Sequence, residues 1–271
     1  MELTDNSIYN YAFLLRSIFC SIEHRYQQRR KKSSQVSESE VFKIDPNYTA
    51  ETFLCGIFLL EDTSDATDNY NKFGLDGPTK YENIGEKYLR LYGILNAAYM
   101  QFITCHEFYR MFKVSGHKKF KKESEELQVL KLRHTAASHS VNYKSNGVKD
   151  FYKISQMTLK GYGEKLHVIG QKDDQYEFDL KRELDCFTQF LNSHLSKISS
   201  TLISRYFNKN STHYKDYMAD LELIDAHAIG ALIIDGAHGI KQIVFPSLDE
   251  HIPEELLNSF DEEVPSKEND K

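Results

Sequence analysis

A long apolar stripe between residues 82 and 113 limits the folds that this chain of 271 residues can adopt. Apolar side chains recur there in alternating steps of four and three, at Leu91, Leu95, Ala98, Phe102, Cys105, Tyr109 and Phe112. This spacing places them along one side of an α-helix, and a neighbouring stripe runs through Tyr88, Tyr92, Tyr99 and Ile103. Gly93 costs about 1 kcal/mol relative to Ala inside a helix, which predicts the close approach of another helix. We therefore expect one long helix that packs on more than one side.

Three other segments, 8–31, 123–139 and 181–207, show the same helical period. With 82–113 they predict a four-helix core. A further helix is expected from Asp45-Pro46 to Leu60, and the polar stretch 61–80 is expected to be a surface loop. The fold class is therefore mainly α.

The hydrophobic period changes to two after residue 148. Strands are expected at 151–159, 166–169 and 175–180, with a turn at 160–163. They predict a small antiparallel β insertion at about 148–180, followed after 181–207 by one or two short helices within 213–236. The expected organisation is a helical domain at 1–210, a C-terminal helical extension at 211–246 and a tail at 247–271.

The negative charge of the chain is concentrated in that tail. The formal net charge is −6. Residues 247–271 hold nine acidic residues and two lysines, so the rest of the chain is close to neutral. The tail is expected to be disordered, and an anionic partner for the remainder is not excluded.

The cysteine and hydropathy patterns limit which cellular compartment and which cofactors are expected for this chain. The four cysteines are far apart and form no CxxC pair, so neither a zinc site nor a disulfide framework is expected. Four reduced thiols predict a cytoplasmic location. No apolar run approaches the roughly 20 residues that span a bilayer. Asp225, His227, Asp235 and His238 lack the spacing of a metal motif, so no metal or cofactor is expected.

A cluster of one arginine and two histidines near the middle of the chain carries the strongest chemical signal. Arg133, His134 and His139 lie near the expected end of the helix that begins at Glu123. Histidine transfers protons near neutral pH, and arginine binds phosphate oxygens, so together they suit metal-independent RNA cleavage. His139 would act as general acid or base, Arg133 would stabilise the charge on phosphorus, and His134 would orient the phosphate. The alternative is a solvated or capping role at a helix end.

Two basic stretches could contact phosphates. One lies just before the motif and is either a solvated loop or an RNA-binding rim, formed by Lys118, Lys119, Lys121 and Lys122. The other ends the first helix, from His24 to Lys32, and is either a solvated helix terminus or a phosphate-contacting patch.

The motif, together with Lys87–Gln101 upstream of it, resembles the HEPN superfamily (higher eukaryotes and prokaryotes nucleotide-binding domains) from about residue 81 to 203. That family is marked by an Arg, four to six residues and a His, with a polar residue after the Arg. Arg133, His134 and His139 match those three positions. In HEPN toxins silenced by a nucleotidyltransferase antitoxin a Tyr follows two positions after the His, whereas Val141 stands here, so the resemblance does not extend to that silencing route.

The resemblance implies a helical bundle that dimerises through its motif-bearing helices and cleaves RNA without a metal, as toxins and anti-phage defence effectors do. We therefore expect a cytoplasmic homodimeric endoribonuclease with an Arg/His site shared across the dimer interface, and an antitoxin or defence-system partner. The alternative is a non-catalytic HEPN-like dimer that binds RNA, a nucleotide or a partner protein.

Overall fold

The computed structural model describes residues 3–79, 83–138, 143–145, 148–161, 165–170, 175–236 and 239–243. The chain divides into two compact units, Met1–Ile224 and Asp225–Lys271. The described helices are α1 (Ser7–Lys32), α2 (Glu38–Phe42), α3 (Ala50–Phe73), α4 (Ile84–Met111), α5 (His117–Ser124), α6 (Gln128–Leu132), α7 (Gln156–Gly161), α8 (Leu180–Tyr206) and α9 (Thr212–Ala228). A π-helical segment, Arg133–Ser138, follows α6 directly. The expectation of a mainly α fold is confirmed.

Each of the four long helices begins at a polar side chain that accepts a hydrogen bond from a backbone N–H of the first turn. Asn6 caps α1, Thr49 caps α3, Asn83 caps α4 and Asp179 caps α8. Such caps satisfy N–H groups that have no partner within the helix and fix where it starts.

The core of the first unit is a cycle of four helices in which α1 packs on α3, α3 on α4, α4 on α8 and α8 on α1. Phe53 of α3 illustrates this packing, because its ring lies 5.8 Å from that of Phe19 on α1 and 5.1 Å from that of Phe108 on α4. The expectation that 123–139 is the fourth core helix is therefore wrong, and α3 takes that place.

The expectation of a surface loop at 61–80 is also wrong for most of its length, since α3 continues to Phe73. Its polar residues fit a helix because their hydroxyl groups bond to the preceding turn. Thr63 Oγ1 donates to the Leu59 carbonyl at 2.6 Å, and Ser64 Oγ donates to the Leu60 carbonyl at 2.7 Å. Residues 80–82 lie outside the described residues.

The expected helix over 123–139 is divided into shorter elements. α5 ends at Ser124, the chain turns, α6 occupies five residues, and the π-helical segment completes the described part. α6 packs on α4 and α8, and the π-helical segment packs on α4. The predicted motif therefore begins on the outer side of the α4–α8 pair.

The β insertion is confirmed in part. β1 (Tyr143–Ser145) and β2 (Val148–Asp150) form a hairpin, and β3 (Lys153–Ile154), β4 (Lys165–Ile169) and β5 (Gln175–Asp179) form an antiparallel sheet in that order. The strand expected through residue 159 ends early, because Thr158 and Leu159 turn into α7. There the Leu159 N–H bonds to the Ser155 carbonyl, and the Thr158 hydroxyl accepts from the His167 N–H of β4. Of the expected turn at 160–163, residues 162 and 163 lie outside the described residues.

The expectation of a wholly helical C-terminal extension is wrong beyond Ala228. Within the second unit, β6 (Leu232–Gly236) pairs antiparallel with β7 (Gly239–Ile243). Residues 244–271, which include the acidic tail, lie outside the described residues.

Candidate functional site

The π-helical segment holds the first two residues of the predicted motif. Leu132 at the end of α6 and Ala136 within the segment are buried, and the Thr135 hydroxyl donates to the Lys131 carbonyl at 2.9 Å. A π-helical turn holds more residues than an α-turn, and such turns frequently occur at functional sites. The buried anchors thus set the backbone that presents Arg133 and His134.

Arg133 rests on an aromatic ring of α4. Its Cζ atom lies 3.7 Å from the ring centroid of Tyr99, a cation–π geometry that contributes about 0.5–2 kcal/mol depending on exposure. The side chain is half-buried, and no carboxylate among the described residues forms an ion pair with it. Its remaining guanidinium N–H donors therefore suit an anionic ligand.

The two histidines of the motif differ in what the structure describes. His134 is exposed beside Arg133, whereas His139 lies outside the described residues.

The four lysines of the expected RNA-binding rim are all exposed on α5. Lys119 Nζ lies 3.4 Å from Glu123 Oε1 in an ion pair. Ion pairs at the protein surface contribute little to stability. α5 is anchored by buried Phe120, whose ring stacks at 5.4 Å on Phe102 of α4. Phe102 in turn lies 6.3 Å from Tyr99, which supports Arg133. A series of ring contacts thus connects the lysine helix with the arginine.

One face of α4 remains uncovered by the described residues. Leu89 is 73% exposed and Tyr92 41% exposed, and Ile103 lies on the same side three to four turns further on. A Cβ atom added at Gly93 would meet nothing within 4 Å. The expectation that another helix closely approaches Gly93 is therefore wrong within the described part of one chain. The close approach occurs at Gly56, where an added Cβ would lie 2.5 Å from Phe108 Cε1.

A partly buried polar network behind α5 was not expected from the sequence. Tyr109 Oη lies 2.7 Å from His194 Nδ1, and His194 Nε2 lies 3.1 Å from Glu123 Oε2. Burial raises the pKa of Tyr109, and burial also lowers the pKa of His194 against the opposing effect of Glu123. The tyrosine thus remains a neutral hydroxyl, and the network ties α4, α5 and α8 together. No sequence signal could have found it, because its members are spaced 85 and 71 residues apart in the chain.

A cavity of about 440 Å³ opens beside this network, lined in part by Tyr48, Arg110 and His117. Glu107 forms the polar centre next to it, accepting hydrogen bonds from Tyr48 and Arg110 at 2.5 and 3.1 Å. Burial raises the pKa of Glu107, but these bonds and one from His106 outweigh it and hold the pKa below its usual range. Burial and the neighbouring Glu107 raise the pKa of Tyr48 to about 12. The cations and carboxylates here neutralise one another, which makes the cavity a weaker anion site than Arg133.

Within the described ranges, no group of three or more His, Cys, Asp or Glu side chains is arranged to hold a metal ion. In the same part of the chain, no helix has both the length and the apolar character that crossing a membrane requires. Cys20, Cys55 and Cys186 are exposed free thiols, and Cys105 is a buried one.

Comparison of the chain with protein-family models, with curated proteins and with solved structures finds no match.

Proposed function

We propose that this protein is a metal-independent endoribonuclease of the HEPN type, a homodimer acting as a toxin or anti-phage defence effector. The observation that carries the proposal is the state of Arg133. This arginine is half-exposed, supported on the Tyr99 ring and without a carboxylate partner among the described residues. A structural arginine usually ends in an ion pair or caps carbonyl groups, whereas a cation held in place with open donors suits a phosphate.

In this mechanism the chain's own side chains provide proton transfer and charge stabilisation. His139 removes the proton from a ribose 2′-hydroxyl, and the oxygen attacks the adjacent phosphorus. Arg133 stabilises the negative charge that develops on the non-bridging oxygens, and His134 orients the phosphate. The bond to the 5′-oxygen breaks and that oxygen takes up a proton, which leaves a 2′,3′-cyclic phosphate and a 5′-hydroxyl group. The α5 lysines hold the neighbouring phosphates of the RNA.

The exposed face of α4 supports the dimeric part of the proposal. Its members are spaced symmetrically about Asn96: Gly93 and Tyr99 lie three residues to either side, Tyr92 and Met100 four, and Leu89 and Ile103 seven. A helix with such a stripe is self-complementary in the antiparallel direction, which is what a two-fold axis at Asn96 requires. Leu89 would then meet Ile103 of the second copy, and Gly93 would leave room for the second Tyr99. The two Arg133 side chains would come close to one another.

The first test is RNA cleavage in EDTA by the wild-type protein, by Arg133→Ala and by His139→Ala, all purified identically. Arg182→Ala, which removes an exposed arginine from α8, is the matched control. We expect cleavage by the wild type and the control alone, with 2′,3′-cyclic phosphate ends. Equal cleavage by all four proteins would indicate a contaminant and refute the assignment.

A mixing experiment tests whether the site is shared between subunits. Arg133→Ala and His139→Ala are each inactive, but a mixed dimer of the two retains one intact site if each site takes its Arg and His from different copies. Random mixing should then restore about a quarter of the wild-type activity. A site built within one copy would restore none.

Absence of cleavage with several RNAs, by a folded dimer that still binds RNA, would favour the alternative function of a non-catalytic dimer. In that case His139→Ala would leave the affinity for RNA nearly unchanged.

A further inference from the structure

The C-terminal end of α1 forms part of a second basic surface, distinct in its residues from the Arg133 site. We define the α1-end surface by Arg25, Arg29 and Lys32 of α1, Lys43 after α2, and Arg205 of α8. The three α1 residues are spaced by four and three, so they follow one side of the helix over about 10 Å. Arg25, Arg29 and Lys32 also line one small cavity, together with Gln28.

Contacts at Tyr206 and Phe207 hold these segments together. The Arg25 guanidinium donates to the Tyr206 carbonyl at 2.6 Å, and its Cζ lies 4.6 Å from the Phe207 ring centroid. Lys43 Nζ donates to the Arg205 carbonyl at 3.2 Å. The Tyr206 hydroxyl donates to the Phe42 carbonyl. The cations from three separate parts of the chain are therefore brought to one place by a packed anchor.

The positive charge exceeds what helix termination requires. The α1 dipole places only about half a negative charge at its C-terminus, whereas the last turn alone carries Arg29, Arg30, Lys31 and Lys32. No ion pair joins any member of the α1-end surface to a carboxylate among the described residues. Nearby Glu38 is already engaged, accepting from the Ala50 N–H at 3.2 Å.

The composition of the surface favours one kind of polyanion. Peripheral membrane surfaces combine basic residues with apolar side chains that enter the lipid, but the large exposed hydrophobic side chains of the described residues lie elsewhere. A nucleic-acid backbone requires only regularly placed cations with directed donors, and arginines supply these. Arg25 is already held by its two contacts, which lowers the entropy cost of binding.

We propose that the α1-end surface binds the phosphate backbone of a nucleic acid without reading its sequence. This goes beyond the cleavage function and does not depend on it, since the surface needs only an intact backbone. In a nuclease it would hold a strand away from the reacting phosphate, and in a non-catalytic protein it would be a binding site in its own right.

The test is binding of a fluorescent 2′-O-methyl oligoribonucleotide, measured by anisotropy across a salt series. This ligand lacks the 2′-hydroxyl nucleophile, so loss of binding cannot be confused with cleavage or with failure of the cleavage proposal. The variant is the triple substitution Arg29→Ala, Lys32→Ala and Lys43→Ala, which spares Arg25 and its packing. The control is Lys72→Ala, Lys160→Ala and Lys181→Ala, which removes the same charge from exposed positions on α3, α7 and α8. Circular dichroism checks that both proteins are folded.

We expect the α1-end variant to bind roughly a hundredfold more weakly at about 0.1 M salt, with a salt slope shallower by about two, because each lost single-strand phosphate contact changes the slope by about 0.7. The control should differ little from the wild type. Equal losses in the variant and the control would show a response to net charge alone and overturn the proposal. Unchanged binding by the variant would also overturn the proposal. So would a wild-type protein that binds phosphatidylserine vesicles through the same three residues but does not bind the oligonucleotide.

Discussion

Replacing each of two helical glycines by alanine should change stability in opposite directions. Both Gly56 in α3 and Gly93 in α4 are inside helices, where alanine is intrinsically favoured by about 1 kcal/mol. At Gly93 an added Cβ meets nothing within 4 Å, so we expect the full gain of about 1 kcal/mol in the free energy of unfolding of the single subunit.

At Gly56 the same methyl group enters the α3–α4 contact. It would lie 2.5 Å from Phe108 Cε1 and 2.8 Å from Phe108 Cζ, well inside van der Waals contact. The Phe108 ring is buried and packed edge-on against Phe53 at 5.1 Å, so it has nowhere to move. Overpacking of this kind costs about 3 kcal/mol at its upper end, and subtracting the helix gain leaves a net loss of about 2 kcal/mol.

Urea unfolding followed by far-ultraviolet circular dichroism measures both changes, at a protein concentration low enough to keep the chain monomeric. The midpoint should fall for Gly56→Ala and rise for Gly93→Ala, with the slope unchanged. A Gly56→Ala protein as stable as the wild type would refute the described packing of α3 on α4. A destabilised Gly93→Ala protein would show that this face is covered within one subunit.

Three further changes test the site and its surroundings. Tyr99→Leu should slow RNA cleavage about fivefold, because it removes about 1 kcal/mol of cation–π support from Arg133. Tyr99→Phe keeps the ring and should retain activity. Equal cleavage rates for the two variants would mean that the ring does not position the arginine. Burial lowers the pKa of His194 in the folded protein, so the unfolded chain binds more protons below pH about 6.5, and stability falls as the pH decreases through that range. His194→Gln should therefore lose stability less steeply than the wild type between pH 7.5 and 5 in urea titrations, and an identical slope would contradict the burial. Replacing the four α5 lysines by alanine should flatten the salt dependence of RNA binding by about three, and an unchanged slope would remove α5 from the interface.

The helical period predicted the fold well where the buried side of a helix is apolar along its whole length. α1, α4 and α8 agree with expectation within a few residues because their buried faces carry Leu, Ile, Phe and Tyr at regular steps. α3 was predicted only to Leu60, since its second half buries Thr63 and Ser64, whose hydroxyl bonds to the preceding turn cannot be seen in a hydrophobic pattern.

The two remaining differences differ in whether the sequence signals them. The isoleucines of the run Leu232–Ile234 are a strand signal that agrees with the β6–β7 pairing better than with the helix that was expected. The break between α5 and α6 has no such signal, because Ser124, Glu125 and Glu126 are ordinary helix residues. Tertiary packing of Phe120 and Val129 on the bundle decides that break.

The site was predictable only as a set of residue types. Arg133 could be chosen from the sequence, but its support could not, because Tyr99 is 34 positions away and appeared only as part of an apolar stripe.

That stripe leads to a sharper test of the proposed dimer. If two α4 helices pack antiparallel about Asn96, their axes lie about 8–10 Å apart. The two Asn96 Cα atoms then face one another at roughly 3.5–5.5 Å, a range that overlaps the Cα separations of disulfides.

Asn96→Cys should therefore form a covalent dimer on mild oxidation, seen on a non-reducing gel. The exposed thiols Cys20, Cys55 and Cys186 would first be replaced by Ser, leaving only buried Cys105. Lys72→Cys in the same background controls for random collision between exposed thiols, since it lies on α3 away from the stripe. Selective crosslinking at position 96, at low protein concentration, would place the two copies of Tyr99 about 9 Å apart along the helix axis, since each lies three residues from the two-fold. The two Arg133 side chains that rest on them would then belong to one cleft. Equal crosslinking of both cysteines would reject this register, and the nuclease proposal would then require each Arg133 and His139 to act within a single subunit.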